Sequence, residues 1–225
     1  MIDATYQPVE RRPLASRDLH IVRRVSGGLI NRGVSANAVS LSSIAFAATA
    51  SLCLVQTSRM NAAGVRVLFV LAALFIQLRL LANLLDGMIA VGSGRASPAG
   101  ELYNEVPDRV ADCLILTGAG FAAGGTPTLG YHAALVAVFV AYLRALGGST
   151  GVHGLFIGPM AKPQRMATMT AACVYCACAP SGWPGALGHA SIGAVSVALS
   201  IVIAGGVLTT WRRLRRMAAA LGASA

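Results

Sequence analysis

Five of the chain's eight acidic residues, Asp86, Glu101, Glu105, Asp108 and Asp112, fall in one short stretch between two long apolar runs. A carboxylate near lipid costs roughly 2.5 kcal/mol or more unless it is paired, bound to metal or facing a wet cavity, so acids in such a place mark function. Residues three and four apart share a helix face, which puts Arg79, Asn83 and Asp86 on one side of a helix end. Glu101, Asn104, Glu105, Asp108 and Asp112 do the same at the start of the next helix, within an arc of about 100°. Hard oxygens converging from two neighbouring helices suit Mg²⁺ or Mn²⁺, and such ions with open positions engage phosphate or diphosphate esters. The same spacing also suits a structural network in which the acids pair with Arg79, Arg95 and Arg109.

The elements that must hold these residues are apolar. With 56% hydrophobic and only 12% charged residues among 225, the chain has more apolar surface than a soluble fold hides, and it reads as an all-α integral membrane protein. Apolar runs over roughly 38–55, 64–85, 106–123, 129–147, 167–183 and 189–210 each approach the ~20 residues that cross a bilayer, predicting six transmembrane helices. The net charge of +10 sits in blocks at the ends of these runs without interleaved aromatics, which favours a membrane surface over nucleic acid. Arg11, Arg12, Arg17, Arg23, Arg24 and Arg32 precede the first run and Arg212, Arg213, Arg215 and Arg216 follow the last. Both termini and the acidic face are therefore expected on the cytoplasmic side of the inner membrane. Arg59 and Arg66, in the connector between the first two runs, stand on the wrong side in this topology.

Residues 8–34 mix Arg with Val, Leu and Ile and predict an N-terminal amphipathic interfacial helix. The expected layout is a basic juxtamembrane segment over 1–36, a six-helix catalytic domain over 37–211 and a basic cytoplasmic tail over 212–225. No cleaved signal peptide is expected. Cys53, Cys113, Cys173, Cys176 and Cys178 lie in apolar surroundings, without zinc-loop spacing, and read as packing residues.

The segment NLLDGMIAVGSGRASPAGELYNEVPD resembles the signature of the CDP-alcohol phosphatidyltransferases, D-x2-D-G-x2-A-R-x8-G-x3-D-x3-D. In this chain the frame reads Asn83, Asp86, Gly87, Ala90, Val91, Gly100, Asn104 and Asp108, with every interval matching. The segment Gly33-Val34-Ser35-Ala36-Asn37-Ala38-Val39-Ser40 and the six-run layout also look like that family. The resemblance implies the CDP-alcohol phosphotransferase fold and transfer of a phosphoalcohol (phosphatidyl) group from a CDP-linked lipid to a small alcohol or phosphoalcohol, releasing CMP. It further implies Mg²⁺ or Mn²⁺ held at Asn83, Asp86, Asn104 and Asp108, with Asp108 as general base. CDP would lie against Asp86, Gly87, Ala90, Gly100, Asn37 and Arg79, and a homodimer is the family's common assembly.

Asn83 and Asn104 stand where the family has Asp, and Val91 where it has Arg. An amide offers a metal its oxygen but no charge, so the four ligand positions carry −2 rather than −4. Glu101, Glu105 and Asp112 are placed to add charge, and Arg79 or Arg95 to replace the missing Arg. Arg79, a charge inside an apolar run, is expected to pair with Asp86 or a substrate phosphate. Arg144, Lys162 and Arg165 are candidates for holding a phosphorylated acceptor, or are charges that set topology. Two other functions fit the altered motif: a CDP-lipid binder without turnover, and a CDP-lipid hydrolase.

Overall fold

The structure is a computed structural model that describes residues 20–93, 98–180 and 193–222. Among the described residues seven α-helices follow one another: α1 (His20–Asn31), α2 (Ala36–Gln56), α3 (Ala62–Gly92), α4 (Pro98–Gly120), α5 (Pro127–Ser149), α6 (Lys162–Cys178) and α7 (Ala194–Gly222). No strand occurs among the described residues.

Local chemistry sets where these helices begin. The Ser35 hydroxyl accepts the Ala38 N–H at 3.2 Å to open α2, and the Asn61 side chain accepts the Gly64 N–H at 2.9 Å to open α3. Pro127 and Pro163 occupy the first turns of α5 and α6, where a missing N–H costs nothing. Four helices among the described residues are long and apolar enough to cross a membrane: α2 with its 3₁₀ turn Thr57–Arg59, α3, α5 and α7. The chain is therefore a membrane protein. The acids and basic residues of the site fall on α3 and on the two remaining long helices, α4 and α6.

Around the bundle α2 packs on α3, α3 on α6, α6 on α7, α7 on α5, α5 on α4 and α4 back on α2, closing a ring of six helices. Its core is built largely of alanines, with Leu54, Phe69, Ile76, Ile115, Leu116, Met166 and Met169. Small residues bring the backbones together. A Cβ on Gly118 would lie 2.3 Å from the Ser51 Oγ, so α2 and α4 can approach only with glycine there. Large exposed side chains such as Leu52, Val67, Leu135 and Ile201 face outward, as a lipid-bathed surface requires.

The 31 residues of α3 rise to roughly 46 Å at ~1.5 Å each, more than the ~30 Å hydrocarbon layer, enough to span it even when tilted. Its C-terminal part carries Asn83 and Asp86, and α1 packs on it through Val22 against Leu85 and Ile89. Residues 8–19 of the segment expected to be amphipathic lie outside the described residues. At the C-terminus, α7 continues as helix through Arg212, Arg213, Arg215 and Arg216 to Gly222.

Arg66 accounts for its own position. Its guanidinium donates to the carbonyls of Ala177 at 2.9 Å and Ala179 at 2.8 Å, at the end of α6. A cation there satisfies orphan carbonyls and opposes the negative helix end. The bond explains a basic residue on the side where loop charge is otherwise sparse. All five cysteines are free, with Cys53, Cys173 and Cys176 buried.

Candidate active site

The ends of α3 and α4, the start of α6 and the first turns of α2 bring together Asp86, Asn83, Asn104, Asp108, Asp112, Arg79, Lys162, Arg165 and Ser40. Asp86 is 3% exposed, and its Oδ2 accepts the Ser40 hydroxyl at 2.6 Å. Its Oδ1 is buried and has no hydrogen-bond partner among the described residues. An unpaired carboxylate oxygen in such a place costs free energy unless a ligand supplies a positive group. Asn83 Nδ2 donates to Asn104 Oδ1 at 2.8 Å, so the two amides join α3 to α4. The Lys162 ammonium donates both to Asn83 Oδ1 and to Asp108 Oδ2. Asp86 lies near enough to Asp108 and Lys162 to feel both charges.

Arg79 corrects an expectation. It does not reach Asp86; its Nη2 donates to Asp112 Oδ1 at 2.8 Å, to the Asp108 carbonyl at 3.1 Å and to Asp108 Oδ1 at 3.3 Å. Asp112 is also held by Arg165 Nη2 at 2.5 Å, and Arg165 Nη1 donates to the Met160 carbonyl at 3.1 Å. Asp112 therefore bridges two fully buried guanidiniums and ties α3, α4 and α6 together below the site. The partner of Asp86 is the Ser40 hydroxyl, which the charge-based reading of the sequence passed over. Ser40 closes the family-like segment before the first span, and Asn37 lies one turn before it on the same face of α2.

Glu105 sits at the rim, salt-bridged to Arg109 at 3.0 Å and to Arg144. Arg109 also lies 3.7 Å from Asp108 Oδ2. Arg144 thus comes to the acidic stretch through Glu105, while Lys162 enters its centre and Arg165 its base. Gly87, Ala90 and Gly100 lie on the same ends of α3 and α4. Glu101's side chain and Arg95 lie outside the described residues, and Val91 is 44% exposed.

No three His, Cys, Asp or Glu side chains gather as a metal site among the described residues, because two of the four motif positions are amides. The donor set nonetheless fits one hard divalent cation. Asp86 has a buried oxygen without a hydrogen-bond partner among the described residues, and the amide oxygens of Asn83 and Asn104, each accepting one hydrogen bond, keep a second lone pair. Chemically, the group can anchor a cation at Asp86, orient a phosphate ester and take a proton at Asp108.

No protein-family model and no curated protein matches the chain. Solved structures do match. The structure of Mycobacterium tuberculosis phosphatidylinositol phosphate synthase with CDP-DAG bound superposes with a TM-score of 0.70 at 16% identity, covering 89% of this chain and 94% of that one. The same synthase in complex with manganese and citrate gives 0.69 at 16% identity, covering 87% and 88%. Its apo form gives 0.68 at 17% identity, covering 86% and 94%. The chain has the fold of this membrane synthase over nearly its whole length.

Proposed function

We propose that this chain is a CDP-alcohol phosphotransferase, moving the phosphoalcohol group of a CDP-linked lipid such as CDP-diacylglycerol to an acceptor hydroxyl with release of CMP, in phospholipid synthesis. The observation that carries the reading is the buried, unpartnered Asp86 oxygen beside Asp108, both in the family's spacing on the ends of two packed helices. The fold shared with a synthase whose structure holds CDP-DAG supports it, and so does manganese in a second structure of that synthase.

In this reading the motif positions Asp86, Asn83, Asn104 and Asp108 gather the cationic charge of the site, with Mg²⁺ or Mn²⁺ anchored at Asp86, where it would supply Lewis-acid stabilisation of negative charge on the diphosphate. Gly87, Ala90, Gly100 and Asn37 border the nucleotide. Asp108 accepts the acceptor's hydroxyl proton as the acceptor oxygen bonds to phosphorus and the bond to CMP breaks. Arg79, fully buried, keeps that carboxylate oriented. Arg144 and Lys162, at 29% and 23% side-chain exposure, are the cations within reach of a phosphorylated acceptor, with Arg165 bracing Asp112. Helices α2–α7 form six spans, α1 lies at the headgroups, and the site and both termini face the cytoplasm at the inner membrane. The juxtamembrane segment, catalytic domain and basic tail follow from that layout, and two chains form a homodimer.

The test is CMP release from CDP-diacylglycerol by the purified chain in lipid, with Mg²⁺ or Mn²⁺ and a panel of alcohols and phosphoalcohols. Asp108→Asn is expected to lower the rate by about 10² to 10⁴. Release that depends on an acceptor identifies the transferase, and release to water alone the hydrolase. CDP-lipid binding without release makes the chain a non-catalytic binder, a reading favoured by the two amides and by Lys162 seated on Asp108.

A further inference from the structure

Lys162 is placed where a lysine is locally disfavoured. It is the first residue of α6, at the positive end of the helix dipole, where anions and not cations are stabilised. Its backbone is held in place, because the chain before it is pinned. The Met160 N–H donates to Thr209 Oγ1 at 3.0 Å, and Arg165 holds the Met160 carbonyl at 3.1 Å. Gly158, at φ 111, lies so close to Thr209 that a Cβ would stand 2.5 Å from its methyl group. The ammonium is thereby delivered between α3 and α4, onto one oxygen of Asn83 and one of Asp108.

Those two oxygens belong to the four positions that could ligate a cation, and Lys162 occupies both. The charges agree. Asp86 and Asp108 are the anions among the four positions, and Arg79 with Arg165 offsets Asp112 and part of Asp108. One divalent ion at Asp86 brings Asp86, Asp108 and Asp112 with Lys162, Arg79 and Arg165 to a net charge of two positive, which the two negative charges of a diphosphate diester neutralise. A second ion would face the ammonium at close range in a buried site. Displacement sites at phosphorus often use two cations about 4 Å apart, one for each side of the reaction.

We propose that the Lys162 ammonium is a tethered cation that takes the place of a second divalent ion between Asn83 and Asp108, leaving a site for one ion at Asp86. The proposal rests on the phosphotransferase reading for what the cations do, whereas their number does not depend on it.

The experiment is Mn²⁺ titration of the purified full chain, read by electron paramagnetic resonance, with thermal melting as a check on folding. The wild type is expected to hold one Mn²⁺, with uncoupled lines. Asn83→Asp alone is expected to hold one, because the ammonium stays. Lys162→Met combined with Asn83→Asp is expected to take a second, exchange-coupled ion, its affinity raised about 100-fold by loss of the neighbouring like charge. Lys162→Gln with Asn83→Asp serves if the Met variant does not fold. Two ions in the wild type, two in Asn83→Asp, none in the wild type, or a single ion in a folded Lys162 variant carrying Asn83→Asp would each overturn the proposal. CMP release, assayed separately, distinguishes the two claims. One ion without release sinks the enzymatic reading and supports the tethered cation, while release with two ions bound does the reverse.

Discussion

Asp112 offers the sharpest test of how the site is held. The residue is 1% exposed and accepts from Arg79 at 2.8 Å and from Arg165 at 2.5 Å. Arg79 Nε and Nη1 and Arg165 Nε are buried without partners among the described residues, so these guanidiniums are already short of acceptors. Asp112→Asn keeps the volume but removes the charge that both depend on. Removing one partner of a buried ion pair costs about 3 to 5 kcal/mol, because the remaining charge is stranded away from water. Reversible unfolding by sodium dodecyl sulfate in mixed micelles measures that loss directly. Mn²⁺ should still bind the folded fraction at a ratio of one ion per chain, since Asp112 is committed to arginines. A loss below about 1 kcal/mol, the range of an exposed pair, would refute the argument that Asp112 is the anion stabilising the base of the site.

Ser40→Ala removes the hydroxyl that holds Asp86 Oδ2 and should weaken Mn²⁺ binding about 10- to 100-fold, as loss of a group orienting a metal ligand does; equilibrium titration with unchanged affinity would sink the proposed role of Asp86. Arg66→Ala should destabilise the chain by about 2 kcal/mol through loss of two charge-assisted bonds to the end of α6, with little recovery in Arg66→Lys, which lacks the planar fork. The check is again unfolding in mixed micelles.

Much of the architecture was legible because it is local. Six apolar runs mark six long helices, α2–α7, and each run falls largely within one of them, although the run over 167–183 ends and the run over 189–210 begins among residues outside the described set. The family-like intervals from Asn83 to Asp108 depend only on helical period and loop length, so the sequence alone placed the amides and aspartates on two consecutive helices. Arg79, a charge inside an apolar run, needs a partner, and among the acids it meets Asp108 and Asp112 rather than Asp86. Asp86, seven residues away on the same helix, was nearer in sequence than Asp108 and Asp112 on α4. Ser40 went unnoticed because a serine in an apolar run has no signature of its own; helix interiors take Ser freely when it bonds back to the preceding turn. Arg66 looked like a violation of loop charge until α6 was seen to end beside it.

From residues alone came the fold class, the positions of the long helices, the acidic stretch and the expectation of a hard cation meeting a phosphate ester. Each follows from hydropathy, period or ligand type, which are properties of short stretches of chain. Only the tertiary structure decided which cation meets which acid. The ring order of the helices sets Lys162 of α6 on Asp108 of α4, Arg165 on Asp112 and Ser40 of α2 on Asp86. Such pairings lie between residues far apart in sequence, and in a medium without water a charge accepts whichever partner the packing brings within a few ångströms.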